Sequence, residues 1–318
     1  MITRRSALRT ALYLGPALIA GRAKFALASA SKLDACIGLP DGRRLGYADY
    51  GDPAGRLVLY FHGTPGSRIE ANLISEDAEA AGVRLVAVER PGIGLSDYQA
   101  NRQILRWPAD VECFVTALGY ADTTFGVVGM SGGAPYALAC VKCIPHRLTH
   151  VAIVSGHTPM NAPGVTPGNQ DKLIEFICRR PRLGQIGLNA AIRMLHRNPD
   201  RFLERAGKEW SAGDRQLILC NPEYRKLFIR TVSEAVRGGS RGLLRAIQLL
   251  GGPWGFRLRD LPQISVSIWQ GGCDPIAPPS MGHYFHQQIA GSELMVDRRA
   301  GHLTMPKWHA AEILARFH

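Results

Sequence analysis

The stretch Val127-Val128-Gly129-Met130-Ser131-Gly132-Gly133-Ala134 decides how the rest of this chain is read. A β-branched run ends in Gly-x-Ser-x-Gly and passes at once into small helix-forming residues. A strand-to-helix reversal this tight crowds its backbone, so Gly129 and Gly133 let strand and helix pass closely and leave the Ser131 hydroxyl exposed at the turn. The same pattern describes an ordinary glycine turn in a chain with 35 glycines, so the surrounding sequence has to carry the case.

A serine hydroxyl needs a general base, an acid that orients the base, and donors for the developing oxyanion. Each has a candidate in order along the chain. The apolar run Ile264-Ser265-Val266-Ser267-Ile268-Trp269 reads as a buried strand, and Gly271, Gly272, Cys273 and Asp274 follow it, which puts Asp274 at the strand's carboxyl end. A short strand over 293–297 precedes Gly301 and His302, the expected base. Upstream, 57–61 reads as a buried strand closed by His62-Gly63-Thr64-Pro65-Gly66, a loop that can offer a backbone donor. Among the other histidines, His157 is the competing base, because it follows the strand over 150–155 and is expected near the pocket beside Met130.

With these residues assembled, the chain resembles the α/β-hydrolase family. The likeness rests on the elbow around Ser131, the His62-Gly63 loop, the run Arg90-Pro-Gly-Ile-Gly-Leu-Ser-Asp97 and the order Ser131, Asp274, His302, and it covers roughly residues 35–318. It implies Ser131 as nucleophile, His302 as base and then acid, Asp274 as orienter, and the amides of Thr64 and Gly132 as the oxyanion hole, with His62, Gly63, Gly129 and Gly133 supporting the loops. Members that cleave epoxides or carbon–halogen bonds carry an aspartate at the elbow, and Ser131 argues against both.

Alternating short apolar strands and helical stretches predict an α/β fold: a mostly parallel, eight-stranded sheet flanked by helices. Strands are expected near 36–40, 44–50, 57–61, 84–89, 124–129, 150–155, 263–269 and 293–297, and helices near 68–81, 104–118, 132–143, 279–290 and 304–316. The interval 157–259 breaks the alternation. It opens on a Pro/Gly-rich loop and continues with helical periods around 172–178, 188–196, 216–219, 224–236 and 243–250, which predicts a helical lid inserted into a core of 31–156 and 260–318.

Charge is uneven. Of the net +12, the first thirty residues hold five basic side chains and no acid, and 171–260 carries 18 Lys or Arg against 9 Asp or Glu. A basic lid could steer anionic substrates or rest on an anionic lipid surface, but its arginines are spread through the helices, and a solvated face is the favoured reading. No nucleic-acid-binding module is evident. Residues 1–30 resemble a twin-arginine export leader: Arg4-Arg5, an apolar run over 11–20 too short to span a bilayer, and small residues at 26–30. Periplasmic or secreted localisation follows, with a cytoplasmic enzyme as the alternative. Seven scattered cysteines suggest packing residues, and Cys140-x-x-Cys143 lacks a second pair for zinc, so neither metal nor cofactor is expected.

The reading is a serine hydrolase acting through an acyl-enzyme on a small-molecule ester or thioester. Proline-iminopeptidase-like cleavage, favoured if Glu204, Glu209 or Glu234 of the lid captures an amine, and carbon–carbon bond hydrolysis are the enzymatic alternatives. A small-molecule receptor on the same scaffold is the non-enzymatic one.

Overall fold

The computed structural model describes residues 33–318. The expected export leader lies outside them. Eight strands form one sheet in the order β1-β2-β4-β3-β5-β6-β7-β8: β1 (Ala35–Gly38), β2 (Arg44–Gly51), β3 (Arg56–Phe61), β4 (Val83–Val88), β5 (Phe125–Met130), β6 (Leu148–Val154), β7 (Val266–Gly271) and β8 (Glu293–Asp297). The β1–β2 and β2–β4 pairs are antiparallel and every other pair is parallel. Both faces of its parallel centre are covered, so the central strands read as largely apolar while their side chains alternate between two cores. Leu57, Leu59 and Phe61 of β3 face a core shared with helices α2 (Trp107–Ala117) and α3 (Ala134–Cys143). Val58 and Tyr60 face the opposite core, which contains Ala78 from the short helix α1 (Ser75–Ala80) and the chain's last apolar residues, Ile313, Leu314 and Phe317.

Six helices intervene between β6 and β7: α4 (Asp171–Arg179), α5 (Pro181–Arg197), α6 (Pro199–Ala206), α7 (Ala212–Leu219), α8 (Pro222–Ala235) and α9 (Ser240–Gly251). Their starts are written locally. The side chains of Asn198, Ser211 and Asn221 accept backbone N–H bonds at the openings of α6, α7 and α8, and Pro199 and Pro222 occupy the first helical position, where no N–H is needed. The helix α6 escapes the periodicity reading because Asn198-Pro199-Asp200, its cap, also spells a loop. The predicted helix over 68–81 begins as a 3-10 segment, Arg68–Ile74, before α1. The final predicted helix divides into α11 (Thr304–Trp308) and α12 (Ala310–Ala315), following α10 (Pro279–Gln288). The break is at His309, whose ring is held between Asp297 at 2.9 Å and Glu312. The seventh strand starts at Val266 rather than near 263, after the irregular stretch that follows Pro262.

The Arg90–Asp97 motif is an internal brace. Glu89, fully buried, accepts from the Leu95 amide at 2.7 Å and from Arg68 Nη1 at 2.8 Å, and Arg68 also pairs with Glu234 of α8 at 2.6 Å and with Asp34. Gly94 sits at φ 55°, and a Cβ there would lie 1.9 Å from Glu89 Oε1. Only glycine combines that backbone with that contact. Burial, opposed by Arg68 and the hydrogen bonds, pushes the Glu89 carboxyl up to about 7. No helix among the described residues is long and apolar enough to cross a membrane.

Candidate active site

Ser131 stands where β5 turns into α3, with φ 50°, a left-handed backbone that non-glycine residues seldom adopt. The glycines around it are needed for proximity. A Cβ on Gly129 would lie 2.8 Å from the Ala137 Cβ, one on Gly133 2.0 Å from the Phe61 carbonyl oxygen, and one on Gly132 2.5 Å from Thr64 Oγ1 and 3.4 Å from the Thr64 amide nitrogen. The elbow is therefore wedged against the end of β3, and the Gly132 and Thr64 backbones adjoin. The Thr64 amide has no acceptor among the described residues. Strained residues of this kind gather at functional sites.

His302 and Asp274 meet at the carboxyl edge of the sheet. The Asp274 side chain is fully buried; its Oδ1 accepts the Ile276 and Ala277 amides at 2.8 and 2.9 Å, and its Oδ2 lies 2.7 Å from His302 Nδ1. These bonds fix one carboxylate oxygen as a turn anchor and aim the other at the imidazole. Burial opposes the imidazolium, but Asp274, by charge and hydrogen bond, outweighs it, with further help from Asp214 and Glu70. The net effect raises the His302 pKa above its ordinary 6.5. Ser131 and His302 line one cavity of about 100 Å³ together with Gly63, Thr64, Met130 and Glu70, and Trp210, Ile218, Leu227, Phe228, Ile276 and Leu303 supply much of its apolar wall. No direct hydrogen bond joins Ser131 to His302; the side-chain partner of the imidazole is Asp274.

The His62-Gly63-Thr64 loop is held by Arg90, a fully buried guanidinium visible in the sequence only as the first residue of a motif. It donates to the carbonyl oxygens of His62 and Gly63, the latter at 2.7 Å, and to Thr64 Oγ1 at 2.9 Å, and it lies 4.8 Å from the centroid of the Tyr136 ring. Burial lowers the Arg90 pKa to about 10, which leaves it a cation at neutral pH. Burial and the Arg90 charge hold His62 well below the usual histidine range, so its ring is neutral: Nδ1–H donates to the Gly63 carbonyl at 2.9 Å while Nε2 accepts from the Arg90 amide. From the other side the Gly63 amide donates to Glu70 Oε1 at 2.9 Å, and that oxygen also accepts from Tyr60 at 3.0 Å. Burial, partly offset by these bonds and by Arg90 and His302, pushes the Glu70 carboxyl up to about 6.

A second unforeseen residue comes from the helical insertion. Asp214 of α7, fully buried, accepts the His302 amide through Oδ2 at 2.7 Å and, through Oδ1, the Leu303 amide at 2.9 Å, the Thr304 amide at 2.8 Å and the Thr304 hydroxyl at 3.0 Å. It caps α11 from outside that helix's own sequence. Gly301 is required here, since a Cβ would sit 2.2 Å from Asp214 Oδ2.

The structure corrects the expectation for His157. Its ring is occupied at both nitrogens, by the Thr158 carbonyl at 2.8 Å and by Asp171 Oδ1 at 2.8 Å, and it does not line the cavity. It supports the elbow instead, its amide donating to the Ser131 carbonyl at 3.2 Å. The carboxylates considered for amine capture are elsewhere as well: Glu234 is paired with Arg68 and Arg237, and Glu204 and Glu209 do not line the Ser131 cavity. Among the described residues no cluster of His, Cys, Asp or Glu converges as a metal site.

The family model described as the alpha/beta hydrolase family matches residues 58–315. Comparison with curated proteins finds no match. Among solved structures the chain is similar to an esterase from Exiguobacterium antarcticum, at 19% identity over 88% of this chain and 96% of that one with a TM-score of 0.63. It is similar to a thermophilic esterase from Thermogutta terrifontis at 19% identity, 88% and 95% coverage and a TM-score of 0.66. It is also similar to the enol-lactonase from Burkholderia xenovorans at 14%, 89% and 97%, and 0.60. At these identities the likeness speaks for the fold. With the family model spanning all but the outermost parts of the described chain, the protein belongs to the alpha/beta hydrolase family.

Proposed function

We propose that this protein is a serine hydrolase that cleaves a carboxylic ester or thioester through an acyl-enzyme. The observation carrying the proposal is that His302, bonded to the buried Asp274, lines the same small cavity as a serine held at φ 50°. In this mechanism His302, neutral and with Nδ1–H fixed by Asp274, takes the Ser131 proton at Nε2 as Oγ attacks the carbonyl carbon. The oxyanion develops against the Thr64 and Gly132 amides, whose backbones adjoin in the resting state. The imidazolium then protonates the departing alcohol or thiol, and water, deprotonated by the same histidine, releases the acid and frees Ser131.

An ester or thioester is favoured over a peptide bond because the carboxylates that amine capture would use do not line the cavity. The one carboxylate that does, Glu70, is engaged with Gly63 and Tyr60. The test is labelling by a fluorophosphonate together with turnover of p-nitrophenyl esters. Wild-type protein should label at Ser131 and turn over a short ester, and Ser131→Ala should lose both. Absence of labelling in folded wild-type protein would refute the mechanism.

A further inference from the structure

A second cavity, of about 360 Å³, lies inside the helical insertion, between α4, α5, α6, α8 and α9. It shares Thr64, Pro65 and Gln170 with the cavity at Ser131, so the two adjoin along the loop that carries the Thr64 amide. Beyond that junction its wall is aliphatic and aromatic, with Leu188, Ala191, Phe202, Val232 and Leu243 among the residues that face it. The polar side chains on it are Asn169 and Gln170 of the loop before α4, Glu209 of the short 3-10 turn Gly207–Glu209, and Thr64; none comes from the five α-helices. Leu173 of α4 both lines the cavity and is 56% exposed, which places an opening on the outer face of the insertion.

Protein interiors pack as tightly as organic crystals, and an apolar void forfeits dispersion contacts around its whole lining. Five helices converging on such a void have not closed it, and nothing polar in its helical wall would hold water there. An aliphatic chain matches this wall in polarity and fits its volume of about 360 Å³. The cavity at Ser131 is too small to take both an extended acyl chain and a leaving group. A chain attached to a carbonyl carbon near Ser131 has the Thr64–Pro65 strip as its shared route into the larger space.

We propose that the cavity inside the insertion is an acyl-chain site, and that the esters this protein hydrolyses carry a long aliphatic acyl group. The proposal rests on the serine-hydrolase reading above, so it is tested with one readout that needs turnover and one that does not. The first is kcat/KM for p-nitrophenyl acetate, butyrate, octanoate and dodecanoate with wild type, Ala191→Phe and Leu188→Trp, two substitutions that fill the cavity from α5. The second is binding of the fluorescent fatty acid cis-parinaric acid to Ser131→Ala, alone and combined with each filling substitution. Expected are a wild-type preference for octanoate or dodecanoate over acetate, and a loss of about 10-fold or more of that preference in the filled variants, the worth of roughly two buried methylenes. Acetate turnover should persist in at least one variant, and parinarate binding should weaken in parallel. Turnover of acetate with a chain-length profile that both filled variants leave unchanged, and no parinarate binding, would overturn the acyl-chain site and leave the hydrolase reading standing. Parinarate binding abolished by filling, in a protein that hydrolyses no ester, would overturn the hydrolysis proposal and the acyl group with it, while supporting the cavity as a hydrocarbon site.

Discussion

Replacing Asp214 by asparagine isolates the contribution of the insertion to the geometry of the proposed base. The carboxylate accepts four hydrogen bonds in a fully buried setting, one through Oδ2 from the His302 amide and three through Oδ1 from Leu303 and Thr304. An asparagine of the same shape keeps one acceptor, so the Oδ1 bonds survive in weaker, uncharged form. The amide –NH₂ then faces the His302 N–H, donor against donor. A bond to a charged group contributes about 1.5–3 kcal/mol, and neutral bonds are roughly half as strong. Loss of the His302 bond together with weakening of the others gives about 3–4 kcal/mol of destabilisation, within the ~5–15 kcal/mol of a typical domain, so the variant folds. The backbone of His302 loses its anchor, and small misplacements of a reacting group cost about 100-fold. The expected result is a lower urea midpoint, kcat reduced about 10- to 100-fold with KM little changed, and an acid limb of the pH profile moved to lower pH, because Asp214 also helps to raise the His302 pKa. Urea denaturation and esterase kinetics on the same preparation test this. Stability within about 0.5 kcal/mol of wild type and an unaltered kcat would refute the reasoning.

The raised His302 pKa predicts that kcat/KM rises with pH through a midpoint above 6.5, since in the proposed mechanism only the neutral imidazole accepts the Ser131 proton. Asp274→Asn removes the main raising influence and leaves burial, so that midpoint should fall while kcat drops about 10⁴-fold; a midpoint that does not move would contradict the assignment. Glu70→Gln keeps an acceptor for Gly63 and Tyr60 but removes a charge that favours the imidazolium, which predicts a smaller shift of the same limb to lower pH with the Tm little changed. In Arg90→Met the proposed oxyanion loop loses its clamp, and kcat should fall about 10²- to 10³-fold, the effect of one misplaced oxyanion donor; activity equal to wild type in a folded variant would rule out the clamp. Gly94→Ala combines a left-handed backbone with a contact against Glu89, and a loss of about 3 kcal/mol in denaturant titration is expected, against under 1 kcal/mol if the brace is dispensable.

The sheet is legible because its central strands, β3 to β7, are mostly buried runs of a few residues with punctuation at their ends, and the elbow after β5 becomes distinctive once the strands and loops around it are placed. The residues around Ser131 were legible for a related reason: tight turns force glycine, and glycine at fixed spacing survives as a pattern. What could not be read are the contacts made between distant segments. Asp214 lies 88 positions before His302, and locally Ser211 and Asp214 spell only a helix opening. Arg90 is visible as the first residue of a motif, but nothing in that motif says which carbonyls it holds. His157 misled for the converse reason. Its place after β6 is that of a pocket residue, and only the fold reveals Asp171 beside it.

The insertion leaves from the end of β6 and returns to β7, and these two strands are neighbours in the sheet. Its length and helix count can therefore change without disturbing the register of any strand, which makes it the natural unit for recombination between relatives. Its attachments to the core limit that freedom, among them the Asp214 cap on the His302 loop, the Glu234 pair with Arg68 and the bond from Ser67 Oγ to the Thr231 carbonyl. A chimera that exchanges the insertion keeps a positioned histidine only if the incoming helices bring a carboxylate to the place of Asp214. On the proposed acyl-chain site, selectivity would travel with the insertion as a module, and Asp214 would be its key.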